Sequence, residues 1–169
     1  MTTISSPSEL FPAPPEVSLD LPQGWEPTTA PGALLSARKP GADRDFMSNV
    51  LVRVEHREDD FTVDRAVEEI RATAAGRAQG ETAGVFRGEI DGCVFDGIDL
   101  SWVDDRAGTL LQVHLFHTLE PVVPGGAVNL LQLVGTCGGS AAATDYPVIK
   151  TIIRSARVVP WKARSGVRA

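Results

Sequence analysis

"TLLQVHLFHTLEPVVPGGAVNLLQLVGTC", residues 109–137, is the stretch on which the fold turns. Two apolar runs, 109–119 and 127–137, are separated by a Pro- and Gly-rich connection. In the first, Leu111, Val113 and Leu115 alternate with Gln112, His114 and Phe116, the two-residue period of a strand. A parallel pair would need a crossover of about a dozen residues or more, so these two strands must be antiparallel neighbours. Working backwards, "DDRAG" (104–108) is a turn that joins "CVFDGIDLSWV" (93–103) to the first run. Before it the dipeptide Asp91-Gly92 is a two-residue hairpin turn from "GVFRGEI" (84–90). The four strands read as an antiparallel meander.

Further upstream, "EVSLDL" (16–21), "ALLSAR" (33–38) and "FMSNVLVRVEHRE" (46–58) read as three more strands. "LPQG" (21–24) supplies a turn with Pro22 at its second position and Gly24 at its fourth, which leaves Trp25 to fold back as a packing plug over a sheet edge or core end. A helix follows: Thr62 is its N-cap, Asp64 lies in its first turn, Val63, Ala66, Val67, Ile70 and Ala74 form an apolar stripe, and Gly76 stops it. A second helix is expected over "DYPVIKTIIRSARVV" (145–159), capped by Asp145 with Pro147 in its first turn. The expected class is α+β, a central antiparallel sheet sandwiched between helices. Residues 1–15, with their "PAPP" cluster, are expected to form a disordered tail, residues 16–160 a single domain, and residues 161–169 a basic C-terminal tail.

A chain of 169 residues with 43% hydrophobic content fits one domain with one good core. Its net charge of −6 argues against nucleic acid and anionic lipid as partners, because the mean field repels phosphate. The N-terminus has no charged-then-apolar export signal, and no run approaches the roughly 18 apolar residues of a membrane span. A cytoplasmic address without membrane insertion is therefore expected. The two cysteines, Cys93 and Cys137, read as unbridged thiols.

Motifs for chemistry are missing. "GTCGGS" (135–140) lies between a strand and a helix but lacks the Lys-Ser/Thr pair of a P-loop and the dinucleotide-site spacing, so it reads as an ordinary mobile loop. His114 and His117 are three apart on a strand and point to opposite faces, which rules out a shared metal. A Cys137–His114 pair across adjacent strands is sterically conceivable but has no orienting third group. The carboxylates of "REDD" (57–60) and "DD" (104–105) occupy turns, and some of the bases after Asp145, from Lys150 to Arg168, suit the negative end of the last helix, contact with an acidic partner being the alternative. No catalytic residue, metal site or cofactor is expected.

Polar residues on otherwise apolar strands are the more informative feature. Gln112 and His114 interrupt Leu111 and Val113, and Gln132 sits between Leu131 and Leu133. If helices cover both faces, these groups must be hydrogen bonded or must line a cavity, because an unpaired buried polar group costs about 1–3 kcal/mol. Gln112, His114 and Gln132 are accordingly the candidate ligand-binding residues.

"LDLPQGW" (19–25), "FMSNVLVRVE" (46–55), "AVNLLQLVGTC" (127–137) and "YPVIKTIIRSARV" (146–158), in this order and spacing, resemble the LpqN/LpqT group of actinobacterial proteins within the Mog1/PsbP-like fold. The resemblance spans Val17 to Val158. It implies a central antiparallel sheet between helices and a class of binding or adaptor proteins without shared catalytic residues. Many relatives are exported lipoproteins with a signal peptide and a lipidated cysteine, features this sequence does not show. The leading expectation is a non-enzymatic interaction or adaptor protein, chaperone-like in its specific form, with a protein or peptide partner. The alternative is a small-molecule carrier or sensor with a pocket between sheet and helix. The sequence sets no oligomeric state.

Overall fold

The computed structural model describes residues 3–41, 46–58, 60–121 and 123–161. Strands β1 (Glu16–Ser18), β2 (Glu26–Thr28), β3 (Leu35–Arg38) and β4 (Asn49–Arg57) precede helix α1 (Val63–Ala75). Strands β5 (Glu81–Thr82), β6 (Phe86–Ile90), β7 (Cys93–Asp104), β8 (Gly108–Leu119) and β9 (Val128–Gly138) follow. A 3-10 turn at Gly139–Ala141 leads into helix α2 (Ala142–Arg154), and β10 is Arg157–Val159. Eight strands form one sheet in the order β2-β3-β4-β9-β8-β7-β5, with β6 also paired to β7, and all pairings are antiparallel. β1 and β10 make a separate two-stranded sheet. The expected α+β architecture is what is found, with β6 to β9 as the meander.

The period of two sorts the sheet into its faces. Val50, Val52, Val113, Leu131, Leu133 and Cys137 point to one face, where Ile149, Ile152 and Ile153 of α2 complete the larger core. Gly135 of β9 lies under Ile149, and a Cβ there would sit 2.1 Å from Ile149 Cγ2, so the missing side chain is what lets α2 lie down on the sheet. Ile98, Phe116 and Leu130 point the other way and pack with Phe61, Ala66 and Val67 at and in α1. Thr62 caps α1 by accepting from Arg65 N at 3.4 Å, and Gly76 ends it with φ −82°, a right-handed rather than a left-handed stop. At the β6–β7 hairpin Asp91 and Gly92 have φ of 51° and 75°, the positive pair that a two-residue turn requires.

Several local expectations are corrected. The early turn closes between Trp25 N and Pro22 O at 3.1 Å, one residue later than expected, which puts Gly24 at the third position with φ 85°, where a left-handed residue is needed. Trp25 does pack into the larger core. Asp145 does not cap α2: the helix begins three residues earlier, and Asp145 sits fully buried in its first turn, bonded to Lys39 Nζ and Ser48 Oγ, each at 2.7 Å. The same helix stops at Arg154, and the stretch expected to continue it forms β10. "GTCGGS" is not a loop but the end of β9 and the start of the 3-10 turn. Strands β2 and β5 carry too few alternating residues to be read from sequence. Residues 3–15 contain no helix or strand, yet Pro12 and Pro15 are buried. The expected basic tail beyond residue 161 lies outside the described residues.

Candidate functional site

α1 is too short to cover its face of the sheet. It packs over β7 and β8 and leaves a hollow of about 320 Å³ beside it, floored by β4, β9, β8 and β7. Strand register builds the floor in rows. Gln132 of β9 lies opposite Arg53 of β4 and Phe116 of β8, Val134 lies between Leu51 and His114, and Thr136 lies opposite Gln112. All three residues singled out from the sequence therefore meet in one place. Ile70 and Thr73 of α1 and Arg77 just beyond it form the wall.

The polar residues of the floor form one continuous chain. The Gln132 amide donates to His114 Nδ1 (2.7 Å), which leaves the ring proton on Nε2 to donate to Gln112 Oε1 (2.6 Å). Gln112 Nε2 then donates to Thr136 Oγ1 at 2.7 Å. Gln132 and His114 are buried, and for Gln112, His114 and Gln132 both conditions set by the sequence hold together: the groups are hydrogen bonded and they line a cavity. Burial, aided by the positive charges of Arg53 and Arg77, pushes the His114 pKa down to about 3. The imidazole is thus neutral at physiological pH, as one donor and one acceptor in the chain require.

Charges surround this neutral floor. Arg57 pairs with Glu55 (2.6 Å) and with Glu69 of α1 (2.9 Å), bracing helix against sheet across the mouth of the hollow. Arg77 stacks on Trp102, its Cζ 3.9 Å from the ring centroid, and its Nη1 is buried with no hydrogen-bond partner among the described residues. Sequence reasoning missed the arginines, because Arg53 and Arg57 lie on β4 and Arg77 follows α1, and only the fold brings them to one hollow.

The remaining chemical residues lie elsewhere. Cys137 faces α2 while His114 faces α1, so the pair conceivable from sequence does not form. Burial and then Asp145 push the Cys137 thiol up to about 11, and burial, Asp91 and Glu89 raise that of Cys93, so neither is an activated nucleophile. His117 is held on the opposite face from His114 by Val94 O (2.8 Å). Among the described residues no three His, Cys, Asp or Glu side chains converge to hold a metal ion, and no helix is long and apolar enough to cross a membrane.

Neither a family model nor a curated protein matches this chain in sequence. Solved structures do match in shape. LpqN of Mycobacterium tuberculosis, described as involved in cell envelope biogenesis, superposes with a TM-score of 0.71 at 14% identity, over 88% of this chain and 86% of its own. The cyanobacterial PsbP protein CyanoP from Synechocystis gives a TM-score of 0.54 at 15% identity, covering 94% of this chain and 98% of its own. The chain shares the Mog1/PsbP-like fold that its sequence resemblance implied.

Proposed function

We propose that this protein, built on the Mog1/PsbP-like fold, is a non-catalytic binding protein that takes a small molecule into the hollow between α1 and the sheet. One observation carries the reading: Gln132, His114 and Gln112, joined in a single hydrogen-bonded chain that ends on Thr136, floor a hollow of about 320 Å³. A sheet face built only for stability would be filled with apolar side chains, as the opposite face is. Mixed apolar and polar linings of this size are how small-molecule sites are made. Catalysis has little support here, since His114 is held by two amides rather than oriented by a carboxylate, and its low pKa makes it a weak base. The test is the ¹⁵N and ¹H signals of the His114 ring in the full chain, followed while a library of small polar metabolites is added. A ligand of the hollow shifts those signals and raises Tm; a library that leaves both unmoved overturns the reading.

A protein or peptide partner is the second reading, favoured by a different surface. β6 and its surroundings expose Val85, Phe86 and Val94 at one edge of the sheet, and an open edge strand can pair with another chain. Val94→Asp should abolish a stoichiometric co-purifying partner without lowering Tm. Retention of that partner by the variant would refute this use of the edge.

A further inference from the structure

We propose that the ligand of the hollow is a small organic acid, its carboxylate held at the rim by Arg53 and Arg77 and a neutral hydrogen-bonding group reaching the Gln132–His114 chain. This rests on reading the hollow as a binding site and adds the class of molecule. Three arginines (53, 57 and 77) and two glutamates (55 and 69) line it, a net charge of +1 in a chain whose total is −6. Both glutamates are taken up by Arg57. That leaves no free carboxylate to receive a cation, and leaves Arg53 and Arg77 with no carboxylate partner among the described residues.

The two arginines are placed differently and complement one another. Arg77 is held against Trp102 and carries a buried Nη1 that no atom of the described residues satisfies, the kind of donor a ligand oxygen completes. Arg53 is exposed in mid-strand, directly opposite Gln132, and so stands between solvent and the buried chain. Its position suits the first capture of an anion. Deeper in, His114 is neutral, so the floor offers donors and acceptors without charge and suits a hydroxyl or amide. Leu51, Leu100 and Val134 supply apolar wall between the two. A net +1 lining matches one negative charge better than two, which favours a monocarboxylate over a phosphate. The volume is that of about ten waters, which sets the scale of the molecule.

The experiment titrates the full chain with C4–C8 straight-chain carboxylates, their hydroxylated forms and the matching primary amides, by calorimetry and by the His114 ring signals. Acids should bind at least about tenfold more tightly than their amides. Arg53→Gln, an exposed substitution, and Arg77→Gln should each weaken the acids about tenfold and the amides by much less, so that the acid-to-amide ratio falls. Equal binding of acid and amide, with His114 shifted by both, would overturn the anion assignment while leaving the hollow a binding site. Acid binding indifferent to both substitutions would also overturn it. Silence of the His114 signals toward every probe would remove the binding site and the acid together.

Discussion

His114 ties stability to pH in a direction that can be stated in advance. Its folded pKa lies near 3 against an ordinary value of 6.5, so the unfolded chain takes up a proton that the native chain refuses. The stabilisation is complete above about pH 6.5 and is lost as the pH falls toward 3, by up to about 1.4 kcal/mol per unit. Chemical denaturation between pH 7 and 4.5 should therefore show a falling stability that His114→Gln largely removes; a variant with the same slope as the parent would show that the ring is not the group responsible. The identity of this residue was legible, because a histidine between two apolar neighbours on a long strand must be satisfied or solvated. Its partners were not. Gln112 and Thr136 are 24 residues apart and meet only through the β8–β9 register, and Gln132 is 18 residues from His114. Asp145 shows the reverse error: an Asp two residues before a proline has the local look of a cap, but a long-range tether to Lys39 and Ser48 uses the same carboxylate.

At the scale of elements, glycine positions decide how closely layers approach. Gly135→Ala would drive a methyl into Ile149, which is fully buried and cannot move aside. The cost should be about 1–3 kcal/mol, the range for overpacking a core, read as a lower denaturation midpoint. An unchanged midpoint would mean that α2 lifts off the sheet freely, contrary to its close packing. Gly97 of β7 is covered in a different way, by the ring of Phe86 directly across the hairpin. The run "LVGTC" shows a glycine inside a strand, which marks a close approach but does not say by what. The end of α2 was similarly ambiguous. Ala156 is buried and continues the helical stripe of Ile149, Ile152 and Ile153, but it also precedes a strand whose Val158 is buried. Either period satisfies the same apolar residues, so periodicity alone cannot place the stop.

Across the whole molecule the first and last strands are clasped to each other at the larger core. β1 and β10 pair with each other, Val17 and Val158 enter the larger core, Arg157 meets Asp20 at 3.0 Å, and Val158 N donates to Asp91 Oδ2 at 2.8 Å. Asp91 thus serves the hairpin turn, through its positive φ, and the clasp, through its carboxylate. Asp91→Ala should cost about 1–2 kcal/mol, whereas Asp91→Asn, which keeps an acceptor and tolerates the conformation, should recover most of it in equilibrium denaturation. Equal losses in the two variants would show that neither role matters. By itself the sequence determined the meander, the α1 helix with its cap, the antiparallel class and the three polar residues worth watching, because alternation, turn dipeptides and capping act within a few residues of chain. Tertiary structure alone decided that β9 pairs with β4, that α1 leaves part of its face uncovered, and that Arg53 and Arg77 stand around a neutral histidine. Those outcomes depend on which distant surfaces bury one another, and burial is a property of the assembled layers rather than of any local run of residues.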